Sequence, residues 1–377
     1  MSPDRAPAPP GTQKTPRELG LRMPAEWDHH AATWIAWPHN PEDWPGKFQP
    51  IPWVYGEMVR RLARVETVQI LVNDAAAEKR ARSLLRRCGA SLAQIQFHHW
   101  PSDRVWLRDS GPIFLTPAPS GAAAPPLGLT DWKFNAWAKY PDWRNDDRIP
   151  AQVAKLLQVP AWQPSIQLSN GTHHRVVLEG GSIDVNGAGV LLTTEECLLS
   201  DVQQRNPGIS REHLETCFRE YLGIEQTIWL NRGIAGDDTH GHVDDIARFT
   251  DAETIVAAVE TDREDENYDP LQENVDRLRS ARSIDGKAYR IVELPLPSPV
   301  IFEGQRLPAS YANFYISNNL VLVPTFNDVN DRVALNILAE LFPRRSVVGI
   351  HSVDFIWGLG AMHCMTQQQP GVPGRKS

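Results

Sequence analysis

Hydrophobic positions recur along the chain in a repeated order: two short alternating runs, a stretch with helical spacing, and a further apolar run. In the clearest copy, residues 181–185 alternate, an Asn-Gly pair marks a hairpin turn, and residues 190–193 return. Helical spacing follows from Ser210, a predicted N-cap, and the apolar residues 227–230 are typical of a buried strand. This stretch is therefore predicted to be a ββαβ unit.

Four further copies of this order are present, two of them weaker and close to the N-terminus. Their predicted strands are 32–37, 69–72, 105–115, 242–249, 255–259, 289–292, 311–316, 320–323 and 347–350. Their predicted helices are 55–63, 151–157, a helix starting at Asp269-Pro270, and 335–341.

Five ββαβ units predict an α/β fold, because each unit leaves an apolar sheet face that its neighbours or its helix must cover. We expect a five-bladed, pseudo-symmetric α/β propeller around a central channel. An open α/β sheet with hairpins is the alternative. We expect one catalytic domain over residues 21–370, with flexible tails at 1–20 and 371–377.

Composition narrows the class of protein. The chain has 377 residues, 41% hydrophobic and 22% charged, which suits a buried core, and its net charge of −8 argues against nucleic-acid binding. It has neither an apolar run of membrane-spanning length nor a secretory signal pattern, so no membrane association is expected. The four cysteines lack paired spacing, and we therefore expect free thiols in a cytoplasmic protein. These cysteines are Cys88, Cys197, Cys217 and Cys364.

A central channel would collect residues from equivalent positions of the units, and those positions hold polar side chains. They are Arg108-Asp109, Glu179-Gly180, the run 236–244, Asn313 and His363-Cys364. A guanidinium ion is planar, cationic and resistant to attack, so its hydrolysis requires carboxylates that pair with its N–H groups. It also requires a thiolate that adds to the central carbon and an acid/base for the leaving group and water.

Each of these roles has a candidate. Asp109 and Glu179 suit the clamp, Cys364 the nucleophile and His242 the acid/base. Asp244 lies two residues after His242, so on a strand it would share that face and could bind the guanidinium or orient the imidazole. Turn formation, solvent exposure or burial in the core would explain the same residues without chemistry. The three remaining cysteines are expected to be structural.

Three further residues are candidates for substrate binding. Trp106 is one of many tryptophans, which are more often core residues, but its place near the first clamp carboxylate suits a cation–π wall. Gly180 permits close backbone approach to a ligand. Asn313 is the polar residue of the fifth unit at the channel position.

The run 236–244 also supports a different interpretation. His240 and His242, spaced by one residue and flanked by Asp238 and Asp244, could bind zinc or iron, as in a metallohydrolase. That interpretation leaves Cys364 and the clamp carboxylates without a role. Sensitivity to a chelator or to a thiol alkylator would separate the two classes.

With these residues assembled, the chain resembles the agmatine deiminase family within the pentein group of guanidine-modifying enzymes. The matching motifs are MPAEWDHHAATWIAWPHN, RVWLRDSGPIF, LEGGSIDVNG, LLTTEECLL, GDDTHGHVDD, PASYANFYISN and GLGAMHCMTQQQP, spread over nearly the whole chain. The resemblance implies a five-bladed propeller, no metal or other cofactor, and a homo-oligomer such as a dimer.

The resemblance also implies residue roles. Cys364 would form an amidino-cysteine intermediate, His242 would be the acid/base, and Asp109, Glu179 and Asp244 would surround the guanidinium. Agmatine would be converted to N-carbamoylputrescine and ammonia, a step of putrescine biosynthesis.

One position departs from the family pattern. Many agmatine deiminases have Thr-Asp-Gly-His before the catalytic imidazole, where this chain has His240 in place of the acid. Glu26, Asp237 or Asp238 could supply the charge for the distal amine instead. A deiminase of a modified agmatine or of peptidyl arginine, and a non-catalytic guanidine- or polyamine-binding protein, are the alternative functions.

Overall fold

The structure, a computed structural model, describes residues 14–119, 124–167 and 171–372. Its helices are α1 Ile51–Leu62, α2 Ala75–Arg87, α3 Leu107–Ser110, α4 Ile149–Leu157, α5 Glu195–Leu199, α6 Arg211–Cys217, α7 Tyr268–Ser280 and α8 Asn330–Leu341. Its strands are β1 Leu21–Arg22, β2 His30–Ala36, β3 Thr67–Val72, β4 Ile95–His99, β5 Ile113–Pro117, β6 Gly128–Thr130, β7 Ala161–Trp162, β8 Ser165–Gln167, β9 His173–Arg175, β10 Asp184–Val185, β11 Val190–Thr194, β12 Gln226–Leu230, β13 Ala247–Phe249, β14 Thr254–Val259, β15 Arg290–Pro295, β16 Ile301–Phe302, β17 Gln305–Arg306, β18 Tyr315–Ile316, β19 Leu320–Thr325, β20 Ser346–His351 and β21 Gln367–Pro370.

Three sheets confirm the predicted ββαβ order. In β10-β11-β12, β13-β14-β15 and β18-β19-β20, the first pair is antiparallel and the second pair is parallel. Parallel neighbours need a crossover connection, and each of these three crossovers contains a helix, namely α6, α7 or α8. The fold is therefore α/β with mixed sheets.

The two ends of the described chain meet in one sheet. The strands β21, β2, β3 and β4 are adjacent in that order, and β21 runs antiparallel to β2. A further sheet has the order β1-β5-β6-β7. Because β21 begins three residues after Cys364, the pairing with β2 fixes the segment that carries this cysteine.

Helix α1 shows how the sequence pattern produces the packing. Ile51, Tyr55, Met58 and Leu62 follow helical spacing and are fully buried in the core that also contains β2 and β3. Burial of one such aliphatic side chain contributes about 1.5–3 kcal/mol relative to exposure. The helix is amphipathic for that reason, and its apolar stripe attaches it to the sheet.

The segment 105–115 differs from the predicted strand. It forms the short helix α3 before β5, and the amide of Gly111 donates to the carbonyl of Leu107 over 2.9 Å. The local turn satisfies backbone groups that a strand would have paired with a neighbour. The polar side chains of this turn, Arg108, Asp109 and Ser110, are buried.

The segment 242–249 also begins differently from its prediction. A 3-10 turn spans Val243–Asp245, and only Ala247–Phe249 forms the strand β13. The prediction that His242 and Asp244 share one face of a strand is therefore wrong. The turn nevertheless leaves both side chains buried in the same place.

Two other boundaries are corrected. Helix α7 begins at Tyr268 with Asn267 at its N-cap, rather than at Asp269-Pro270. The side chain of Asn267 accepts a hydrogen bond from the amide of Ala235 over 2.7 Å instead of capping the helix. In the fifth unit, the predicted strand 311–316 is reduced to β18.

Part of the segment predicted to be an N-terminal tail is folded. Residues 17–19 form a 3-10 helix, and Arg17 pairs with Glu220 and Glu225, so residues 14–20 belong to the folded part. Residues 1–13 and 373–377 lie outside the described residues, whereas the amide of Gly371 donates to the His29 carbonyl over 2.6 Å. Across the described ranges, no helix is both long enough and apolar enough to cross a membrane.

Candidate active site

Cys364 lies at the wall of a cavity of about 590 Å³. Cys364 follows a turn in which Leu359 adopts a positive φ of 66°. The carbonyl of Cys364 accepts a hydrogen bond from the Arg108 amide over 3.0 Å. Only 5% of the residue is exposed. The other lining residues are Glu42, Asp43, Pro45, Arg104, Trp106, Asp109, Trp137, Tyr140, Pro141, Asp142, Asp238, Thr239, Gln305, Trp357, Gly358, Leu359 and Gly360.

Two polar groups contact the Cys364 sulfur. The side-chain amide of Asn313 donates to it over 3.0 Å, and Asp244 Oδ2 lies 3.8 Å away. Burial raises the pKa of the thiol well above its ordinary range, and the carboxylates of Asp244, Asp245 and Asp109 raise it further. A cationic ligand in the cavity would oppose these carboxylates and favour the thiolate.

His242 is held by the loop before it. Asp237 Oδ2 accepts the amides of Gly241 and His242 over 2.7 and 3.0 Å. Burial lowers the pKa of the imidazole, but the charge of Asp109 and the contacts with Cys197 and Glu179 outweigh burial and raise it well above its ordinary value. The shift favours the protonated ring, which can donate a proton.

Asp109 lies in α3 and faces His242. Its Oδ1 accepts the Gly181 amide over 3.0 Å, and its Oδ2 accepts the Trp137 indole N–H over 2.9 Å. Burial raises the pKa of Asp109 to about 6, against the charge of His242 and with the help of neighbouring carboxylates. A Cβ at Gly181 would lie 2.6 Å from His242 Nδ1, so glycine permits this close approach.

Glu179 has a partner that the sequence analysis missed. Arg205 Nε donates to Glu179 Oε1 over 3.1 Å, and both side chains are fully buried. Burial raises the pKa of Glu179, but Arg205 and His242 outweigh it and lower the pKa to about 2. Arg205 lies in a loop outside the repeated pattern, so no periodic signal marked it. Cys197, expected to be structural, lies beside His242 and Glu179.

The imidazole of His242 is surrounded by carboxylates at distances longer than a hydrogen bond. Nδ1 lies 3.8 Å from Asp109 Oδ1 and 4.0 Å from Asp244 Oδ1, and Nε2 lies 3.7 Å from Glu179 Oε2. Among the described residues, both ring nitrogens, Glu179 Oε2 and Asp244 Oδ1 are buried without a hydrogen-bond partner. Buried polar atoms are nearly always paired, so four together indicate a site for a polar ligand.

Two predicted substrate-binding residues line the cavity. Trp106 is buried against Gly360, where a Cβ would lie 2.6 Å from the indole. Asp238 accepts a hydrogen bond from the Tyr140 hydroxyl over 2.7 Å and pairs with Lys139. The cavity thus has an aromatic wall and a carboxylate on the same surface as Cys364.

The structure places two other predicted residues behind the cavity. Glu26 does not line the cavity, and its buried carboxylate pairs with Arg248, Arg108 and His363. Gly180 does not line the cavity either, and a Cβ there would collide with the carbonyl oxygen of Arg108. Its small size serves contact between backbone segments.

His240 and His242 do not converge as the metal interpretation requires. His240 has a positive φ of 62°, and its Nε2 lies 3.2 Å from the Ser200 hydroxyl. Within the described ranges, two groups of three side chains could hold a metal, and neither includes His240. They are Glu179, Cys197 and His242, and Asp244, Asp245 and Cys364.

The chain is similar to proteins of known family. Residues 22–370 match the family profile of the Porphyromonas-type peptidyl-arginine deiminases. Agmatine deiminase of Stutzerimonas stutzeri (strain A1501) is 35% identical over 379 residues, covering 94% of this chain and 97% of that protein.

Solved structures agree with the sequence comparisons. Agmatine deiminase of Enterococcus faecalis superposes with a TM-score of 0.84 at 28% identity, covering 95% of this chain and 98% of that one. Agmatine deiminase of C. jejuni gives a TM-score of 0.76 at 27% identity, covering 94% and 97%. The chain belongs to the Porphyromonas-type peptidyl-arginine deiminase family.

Proposed function

We propose that this protein is an agmatine deiminase that acts through a covalent intermediate on Cys364. The observation that carries the proposal is the set of four unpartnered buried polar atoms, among the described residues, on His242, Glu179 and Asp244. The second oxygen of Asp244 lies 3.8 Å from the cysteine sulfur. A planar guanidinium offers N–H donors for the two carboxylate oxygens at once. The similarity to named agmatine deiminases supports the same substrate.

The first half of the reaction forms the intermediate. The guanidinium neutralises the carboxylates that raise the pKa of Cys364, and the thiol loses its proton to solvent. The thiolate adds to the guanidinium carbon, and the His242 imidazolium protonates one amino group. The C–N bond then breaks, ammonia leaves, and an amidino-cysteine cation remains.

The second half releases the product. The neutral imidazole of His242 takes a proton from a water molecule, whose oxygen adds to the amidino carbon. The C–S bond breaks and returns the Cys364 thiolate. The protonated urea loses its extra proton to solvent, which gives N-carbamoylputrescine. Asp109, Glu179 and Asp244 surround the guanidinium, and every step uses side chains of the chain.

The charge of the cavity favours agmatine over free arginine. Acidic residues that line it are Glu42, Asp43, Asp109, Asp142 and Asp238, whereas Arg104 is the lining arginine. A distal ammonium is attracted to such a surface, and the α-carboxylate of arginine is repelled by it. We assign the distal amine to Asp238, which lines the cavity. Its pair with Lys139 is partly exposed, so a ligand ammonium can compete with Lys139 there, whereas the partners of Glu26 are buried.

The size of the cavity supports a second candidate substrate. Its volume of about 590 Å³ lies within the range of about 300–1,000 Å³ that accommodates drug-sized ligands. A guanidine larger than agmatine, such as a modified agmatine or a peptidyl arginine, would therefore fit. The chemistry at Cys364 would be unchanged.

The proposal includes the architecture and setting of the enzyme. We infer a five-bladed propeller from the five sheets of three or four strands among the described residues, acting as one catalytic domain over residues 21–370. We also infer a cytoplasmic homodimer, on the basis of the unpaired cysteines and of the family resemblance.

A substrate comparison tests the proposal. Ammonia and ureido product are measured with agmatine, free arginine and a blocked peptidyl arginine, each with EDTA present. Release from agmatine alone supports the assignment, and release from peptidyl arginine alone supports the second candidate. Agmatine binding without product would indicate a binding protein, and activity that EDTA abolishes would indicate a metallohydrolase.

A further inference from the structure

The histidine that precedes the nucleophile has no role in the mechanism above. His363 is buried, and its two ring nitrogens each face a carboxylate oxygen. Nδ1 lies 2.7 Å from Asp244 Oδ2, and Nε2 lies 2.7 Å from Glu26 Oε2. The ring therefore bridges the carboxylate that contacts the Cys364 sulfur and the carboxylate of Glu26.

The chemistry of the two carboxylates determines which atoms donate in these contacts. Ionised carboxylates only accept hydrogen bonds, so both contacts are hydrogen bonds at once when both ring nitrogens carry a hydrogen. Burial raises the pKa of Glu26, but Arg248, His363 and Arg108 outweigh burial and lower it well below its ordinary value. An ionised Glu26 is a suitable fixed acceptor for the outer N–H.

Asp244 benefits from the inner N–H. Burial raises the pKa of Asp244, but the hydrogen bond and charge of His363, with the charges of His242 and Arg248, outweigh burial and lower it. Its Oδ2 is shared between His363 and the Cys364 sulfur. Its Oδ1 has no hydrogen-bond partner among the described residues and lies 4.0 Å from His242 Nδ1.

We propose that His363 is a positioning residue that, held by Glu26, keeps Asp244 ionised and turns its free oxygen towards the guanidinium and His242. The inference rests on the proposed function, because its effect is seen on the deimination of agmatine. The outer end of the bridge is fixed, since Glu26 Oε1 also accepts the Ile316 amide over 2.8 Å.

Several other charged groups act on the two carboxylates of this bridge. They are His242, Asp109, Asp245 and Cys364 around Asp244, and Arg108 and Arg248 around Glu26. Arg248 is also paired with Asp184 over 2.8 Å. Among the described residues, His363 is the side chain that links the two carboxylates by hydrogen bonds.

The test is the pH profile of kcat/KM for agmatine in His363→Gln. Asp244 loses the ring N–H donor, so we expect kcat/KM at neutral pH to fall at least about tenfold and the acid limb to move up by about one unit or more. His351→Gln, a change at an exposed histidine of β20, should leave both quantities unaltered. Glu26→Gln should move the limb in the same direction but less far, and it serves if the first variant does not fold.

A uniform loss of rate at every pH, with the acid limb unmoved in both variants, would overturn the inference. Failure of the wild-type enzyme to deiminate agmatine would overturn the proposed function instead. Nitrogen NMR of the His363 ring in the unmodified protein separates the two failures, because it needs no substrate. A hydrogen bond at each ring nitrogen is expected, and a ring nitrogen without one would contradict the bridge.

Discussion

The side-chain amide of Asn313 donates to the Cys364 sulfur over 3.0 Å, although 51 residues separate them in the chain. The carbonyl oxygen of the same amide accepts the His363 backbone N–H over 3.0 Å. One side chain thus holds both the sulfur and the backbone of the nucleophile segment. A donor at this distance stabilises a thiolate more than a thiol.

Replacement of Asn313 by alanine should therefore weaken the nucleophile. We expect kcat/KM for agmatine to fall about 10- to 100-fold, since a hydrogen bond to a charged group contributes about 1.5–3 kcal/mol. The rate of iodoacetamide labelling at Cys364 should fall as well. Asn231→Ala, which removes a bond to Glu273 outside the cavity, is the control and should retain the wild-type rate. Equal labelling rates in both variants would show that Asn313 does not stabilise the Cys364 thiolate.

Replacement of Cys364 by serine should abolish turnover and preserve binding. The carboxylates of Asp109, Glu179 and Asp244 remain, so calorimetry should detect agmatine with an affinity close to that of the wild type. Cys88→Ser is the matched control, because Cys88 packs beside Gly56 outside the cavity and should not affect the rate. Near-normal turnover in Cys364→Ser would exclude the covalent mechanism.

The ionisation of Asp109 should make agmatine binding depend on pH. Its pKa is raised to about 6, so the carboxylate is ionised above that pH and protonated below it. Affinity for the guanidinium should be constant above about pH 7. Below pH 6 it should weaken by up to about tenfold for each pH unit. Asp109→Asn should bind weakly at every pH and lose this dependence. Titration by calorimetry in the Cys364→Ser background provides the measurement, and an Asn variant with an unchanged profile would assign the titration to another group.

Arg205 should support both stability and activity. In Arg205→Gln the buried Glu179 loses its partner, which costs about 3–5 kcal/mol and raises the pKa of Glu179 from about 2. Thermal denaturation should occur at lower temperature, and the acid limb of kcat/KM should move to higher pH. Arg211→Gln breaks a half-exposed pair with Glu195 and should cost about 1 kcal/mol or less. Equal stability of the two variants would contradict the assigned role of Arg205.

The presence of His240 in place of the acid of the family pattern should have little effect on substrate recognition. His240 does not line the cavity and adopts a positive φ of 62°, which asparagine tolerates better than most residues. We expect His240→Asn to keep KM for agmatine within about twofold, whereas Asp238→Asn should raise KM by about tenfold because it removes a charge from the wall. Steady-state kinetics provide the measurement. A large change of KM in His240→Asn would show that the distal amine has been assigned to the wrong residue.

The sequence predicts the parts of the fold that depend on local periodicity. The runs 190–193 and 227–230 are buried strands because apolar residues there alternate or run together, and the structure confirms both as β11 and β12. Polar residues beside apolar strands also identified Asp109, His242 and Cys364, which the structure brings to one place.

Other features depend on contacts between distant segments, so local patterns do not contain them. The 3-10 turn Val243–Asp245 depends on a loop held by Asp237, and the pairing of Arg205 with Glu179 joins two segments through the core. The sequence shows that Glu26 is acidic, which suits a substrate ligand, but it does not show the distant residues that pair with Glu26. The structure supplies those partners as Arg108 and Arg248.

The most direct test of the account is mass spectrometry of the enzyme quenched during turnover of agmatine, with ammonia measured in the same sample. We predict ammonia release together with an amidino adduct on the peptide that contains Cys364, and neither in Cys364→Ser. Ammonia release from a protein that never carries the adduct, or from the serine variant, would contradict the covalent mechanism.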